Sequence, residues 1–142
     1  MDNKKLQRIH RVRTLQLGLA RAEETRAHEQ VASETALSQR IAQLASAVAP
    51  GEGSGAAVSF AAMAHYREKL HRNAEVIANR VRNAAAEATR AAEATRSAKR
   101  DQTAVEKLIA RGEAEAALRA IRALQDAPPT RPIKQGIRHD PC

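Results

Sequence analysis

The sequence predicts an all-α fold, an antiparallel two-stranded coiled coil made by one long helical hairpin with a disordered C-terminal tail. Three observations predict it. The composition favours helix while offering little to fill a compact core: alanine, arginine, glutamate and leucine dominate, Phe60 and Tyr66 are the aromatic residues, and tryptophan is absent. Large side chains supply most of the buried area of a globular interior, so a chain whose apolar fraction is mainly alanine encloses little volume. Helix breakers gather at two places, and the apolar residues of the second segment recur with a 3.5-residue spacing.

The first helix is expected over residues 4–49, where Gly18 is the one glycine and there is no proline. Pro50-Gly51-Glu52-Gly53-Ser54-Gly55 then stops any helix and defines a turn over residues 50–57. A second helix is expected over 58–126, ended by Pro128 and Pro129, with a basic, proline-containing flexible tail over 127–142. The hairpin as a whole occupies residues 4–126.

Within the second segment a four-three alternation runs through Met63, Arg67, Leu70, Ala74, Ile77, Val81, Ala84, Ala88, Ala91, Thr95, Ala98, Gln102, Val105 and Ile109, and eleven of these fourteen residues are apolar. Such a repeat marks a seam facing another helix in a left-handed supercoil, because an isolated amphipathic helix follows 3.6. On the first helix, apolarity selects Val12, Leu15, Leu19 and Ala22, then Leu37, Ile41, Leu44 and Val48, with one stutter between the two stretches. Folding at the glycine loop pairs residues whose numbers sum to about 107. Leu44 is then expected opposite Met63, Leu37 opposite Leu70, Val31 near Ile77 and Leu19 opposite Ala88. In this register the first helix runs out near residue 102. Val105, Leu108, Ile109, Leu118, Ile121 and Leu124 are left as an apolar stripe for a partner, with self-association through Leu118, Ile121 and Leu124 one way to cover it.

The chemistry of catalysis is hard to find in this pattern. His10, His28, His65, His71 and His139 contain no pair spaced i, i+4 to hold zinc on one helical face, and Cys142 is the one cysteine. The glycines of the turn lack the Lys-Ser/Thr of a phosphate loop. A non-enzymatic protein without metal or cofactor is expected. The formal charge of +8 suits an anionic partner. Nucleic acid is disfavoured, since glutamates alternate with the arginines and no aromatic residues are interleaved for base stacking. No apolar run reaches membrane-spanning length and no signal peptide follows the basic first residues, so a cytoplasmic protein without a transmembrane segment is expected.

Several short motifs carry a resemblance. Lys4-Lys5-Leu6-Gln7-Arg8-Ile9 with Val12-Arg13 opens the chain, Phe60-Ala-Ala-Met63 with Glu68-Lys69-Leu70 follows the loop, and Lys99-Arg100 precedes Glu106-Lys107-Leu108-Ile109 and Glu113. In order and spacing these segments resemble the flagellar export protein FliJ family and its injectisome relatives. The resemblance implies a stalk-like coiled coil of type III protein export that binds a hexameric export ATPase, promotes its assembly and activity, and couples it to the export gate protein and export chaperones. It also implies a cytoplasmic location, peripheral to the inner-membrane export apparatus. Carried onto this chain, Arg8, Arg11, Lys99, Arg100 and Arg111 would contact the ATPase ring, and Phe60, Met63, Tyr66 and Leu70 the gate or chaperones. Arg67 departs from the resemblance where a leucine is common, and the prolines of the tail depart from a charged terminal helix. Two other classes fit the composition: a basic helical arm that binds RNA, and a purely structural coiled coil that dimerises.

Overall fold

The computed structural model describes residues 2–47 and 57–130 of the chain. They form two helices, α1 (Asn3–Ala47) and α2 (Ala57–Asp126), which pack against each other as an antiparallel hairpin. Val48, residues 50–56 of the expected turn and the tail beyond Thr130 lie outside the described residues. At about 1.5 Å per residue, 45 residues make α1 close to 68 Å long and 70 residues make α2 about 105 Å long.

Local chemistry accounts for the visible helix ends. Asp2 caps α1: its Oδ1 accepts from the Lys4 amide at 3.3 Å, and its carbonyl accepts from Lys5 and Leu6 at 2.9 and 3.2 Å. Amides that an N-terminus leaves without helical partners are thereby satisfied. At the other extreme, α2 stops at Asp126, just before Pro128 and Pro129, which lack the N–H needed to continue it.

The α2 face against α1 follows the expected ladder. Leu70, Ile77, Ala84, Ala88, Gln102 and Val105 are buried, and Met63, Ala74, Val81, Ala91, Thr95, Ala98 and Ile109 are half-buried between them. Arg67 alone of the fourteen is exposed.

The α1 side corrects the sequence reading. Leu6, His10, Arg13, Leu17, Ala20, Glu24, Ala27, Val31, Glu34, Ser38 and Ile41 are covered, an unbroken four-three ladder with no stutter, with Thr35 half-buried beside it. Val12 is half exposed, and Leu15 and Leu19 are each 70% exposed on the face turned away from α2. Leu37 and Leu44 flank the seam and are also exposed. The reason is that half of the α1 seam is polar, so ranking positions by apolarity selected a neighbouring face.

The register is corrected with it. Contacts across the helices join His10 to Glu106, Arg13 to Asp101, Thr14 to Gln102 and Glu34 to Arg80, so partner numbers sum to 114–116 and not 107. Leu17 then stands opposite Ala98, Val31 opposite Ala84, Ser38 opposite Ile77 and Ala45 opposite Leu70. Leu44 does not face Met63, Leu37 does not face Leu70, and Leu19 does not face Ala88. Bulk still faces small side chains, which keeps the distance between helices even, but through other residues. At Ala27 and Ala88 both sides are small.

With partner numbers summing to about 115 and α1 beginning at Asn3, the point where α1 runs out moves from near residue 102 to about residue 112. Val105 and Ile109 are therefore covered by α1, while Leu108 and every residue from Arg111 to Thr130 are exposed. The overhang of α2 is residues 113–126, about 21 Å of single helix.

Candidate partner-binding surfaces

Three surfaces stand out along the rod: the open end, where α1 begins and α2 overhangs; the outer face of α1; and the end of α2 nearest the loop. Four grooves lined by described residues along the hairpin are open to solvent. No three His, Cys, Asp or Glu side chains among the described residues come together as metal ligands.

The antiparallel fold gathers cations at the open end. Lys4, Lys5, Arg8 and Arg11 on α1 come alongside Lys107 and Arg111 on α2, because the register sets residue 4 near 111 and residue 8 near 107. These six side chains are exposed and make no ion pair or side-chain hydrogen bond among the described residues. Farther along the rod many arginines are matched locally. Glu68 pairs with Arg72, Glu87 with Arg90 at 2.9 Å, and Glu93 with both Arg96 and Arg100 at 3.2 and 3.3 Å. Arg100 is therefore engaged, and Lys99 donates to Gln102 Oε1 at 3.0 Å. Of the five cations expected to contact a ring, Arg8, Arg11 and Arg111 share the open end unpaired. Lys99 and Arg100 lie roughly 17 Å back along α2 and are partly occupied within the chain.

At the other extreme, Phe60 and Tyr66 are exposed and Met63 is half-buried, whereas Leu70 is 6% exposed and fills the seam. Leu70 is unavailable to a partner while the hairpin is closed. Phe60, Met63 and Tyr66 remain as an apolar edge on the part of α2 that precedes it.

Polar seam contacts are the feature that sequence reasoning missed. Glu34 is 4% exposed; its Oε1 accepts from Arg80 at 2.8 Å and from Gln30 at 2.7 Å, while its Oε2 is buried without a hydrogen-bond partner. Gln102 is buried as well and donates to Thr14 Oγ1 at 3.1 Å, and Thr14 in turn donates to the His10 carbonyl at 2.9 Å. Beside them Arg13 reaches Asp101 at 3.1 Å, and His10 Nε2 lies 3.1 Å from Glu106 Oε1. A signal existed: a single offset that puts Glu34 with Arg80 also puts Arg13 with Asp101, which apolar scoring ignores.

No helix among the described residues is long and apolar enough to cross a membrane. No family model matches the chain, and no curated protein or solved structure is significantly similar to it.

Proposed function

We propose that the chain is a component of type III protein export, a rod that seats its open, cationic end in a hexameric export ATPase and presents its loop end to the export gate protein or chaperones. The observation that carries this reading is the gathering of Arg8, Arg11 and Arg111, unpaired among the described residues, at one end of a rod along which many other arginines are paired. Unmatched like charges repel one another in the free protein and gain most from a surface of opposite sign. The resemblance of the motif order to the FliJ family supplies the identity of that surface, and with it a cytoplasmic location at the inner-membrane apparatus.

Stimulation of the cognate export ATPase tests it. A ligand that binds the assembled ring better than the free subunit shifts the population toward the ring by that difference in affinity. The parent chain is expected to raise hydrolysis. Reversing Arg8, Arg11 and Arg111 together to glutamate should remove most of the effect, more completely at low salt, where exposed charges are least screened. Phe60→Ala with Met63→Ala should leave stimulation intact while lowering export. A parent chain without effect on the ATPase refutes the assignment, and a fully active triple reversal refutes the orientation.

A further inference from the structure

The α2 overhang changes its apolar face. Up to Ile109 the seam runs through Gln102, Val105 and Ile109, and its continuation passes through Gly112 and Ala116. Leu118 and Ile121 instead project from roughly the opposite side of the helix, with Ala114, Ala117 and Leu124 beside them. Leu118 and Ile121 are about half exposed and Leu124 is 77% exposed, with α1 already ended at this level. This second stripe therefore cannot be a continuation of the intramolecular coil.

We infer that its occupant is the same stripe of a second copy, packed antiparallel about a two-fold axis between residues 119 and 120. The charges on the overhang select this arrangement. With Ala114, Leu118, Ile121 and Gln125 as core positions of the heptad, Glu115 and Arg122 fall on one flank and Ala117 and Leu124 on the other. In an antiparallel pair each flank meets its own counterpart. Setting Leu118 against the partner copy's Ile121 places Glu115 against the partner copy's Arg122, and Ala117 against Leu124, with every contact made twice by symmetry. A parallel pair would not bring Glu115 to Arg122. Glu115 and Arg122 make no ion pair among the described residues, in contrast to Glu68, Glu87 and Glu93 farther up the same helix. In this alignment the second copy's hairpin begins beside residue 127, past the end of α2 at Asp126, so its α1 does not lie alongside the paired helices.

Two Leu–Ile layers over about 21 Å bury less than the roughly 800 Å² per partner of a standard interface, so the dimer is weak and concentration-dependent. This association is a property of the chain itself, whatever its open-end cations meet.

Sedimentation of the full chain with reductant, from about 10 μM to about 1 mM, should show a rising dimer fraction over the range expected for a small interface. Glu115→Arg alone and Arg122→Glu alone each set like charges together twice, and each should weaken association by roughly tenfold. Mixing these two variants restores both pairs and should give a heterodimer of parental affinity, as should the double swap on one chain. Leu118→Asp should abolish association with an unchanged circular dichroism spectrum, since that residue lies beyond the hairpin. A parent monomeric throughout the range overturns the inference. So do single reversals that dimerise like the parent, or a mixture that fails to recover.

Discussion

The two helices lay the same four-three ladder against each other, yet they build it from different material. On α2 the ladder from Leu70 through Val105 is aliphatic but for the half-buried Thr95 and the buried Gln102. On α1 it alternates Leu6, Leu17, Val31 and Ile41 with His10, Arg13, Glu24, Glu34 and Ser38. An apolar ladder alone accepts many registers, because one heptad of slip exchanges one alanine or leucine for another. The polar members of α1 accept few, since Glu34 meets a guanidinium and Thr14 an amide in only one alignment. We read α2 as supplying most of the burial and α1 as supplying the alignment.

The largest expected effect separates the true α1 seam from the apolar face beside it. Leu17 is 3% exposed, so Leu17→Asp buries a carboxylate with no partner and should cost about 3–5 kcal/mol. Leu19, two residues on, lies on the outer face, and Leu19→Asp should change stability by no more than about 0.5 kcal/mol. Thermal unfolding of the two variants reads the difference. Equal midpoints would mean that α1 is rotated about its axis, with Leu17 no more covered than Leu19.

That contrast also shows how far the sequence was legible. The two helices, their breakers and the α2 seam could be read because the breakers are proline and glycine and the seam positions are aliphatic, so local chemistry and burial agree. The α1 seam could not be read by apolarity, because Val12, Leu15 and Leu19 are more hydrophobic than the His10, Arg13 and Ala20 that are covered. Cross-helix pairing overrode hydropathy there, and pairing depends on a register that one helix does not encode alone. Among the candidate binding residues, Arg8, Arg11 and Arg111 have no ion-pair partner among the described residues, whereas Leu70 is drawn into the seam and Arg100 into a pair with Glu93.

A smaller effect, with opposite signs at its two partners, is expected at Glu34 and Arg80. Arg80→Ala should destabilise by about 2 kcal/mol, since it leaves a buried carboxylate with Gln30 as its one remaining donor. Glu34→Leu removes the buried charge, including the unpartnered Oε2, and leaves Arg80 about half exposed to water. It should be neutral or stabilising by about 1 kcal/mol. If the alignment role is correct, this more stable variant should lose register: spin labels placed at the exposed Ala32 and Asn83 should report one separation in the parent and a broader distribution in Glu34→Leu. A single sharp distance in the variant would show that alignment is set elsewhere.

The smallest effect concerns Arg13 and Asp101, whose side chains are 40% and 48% exposed and 3.1 Å apart. Water already solvates both partners well, so their attraction is weak and holding two flexible side chains in place offsets part of it. A double-mutant cycle with Arg13→Ala and Asp101→Ala should give a coupling of about 0.5 kcal/mol or less. It should vanish near 1 M salt, where the screening length falls to about 3 Å. The pair can still matter to alignment, because slipping α2 by one heptad would put Ala94 or Leu108, according to direction, beside Arg13 in place of an acid. A coupling well above 1 kcal/mol that persists in high salt would move this pair from the aligning class to the stabilising one, and would make the open half of the seam as strongly held as the half around Glu34.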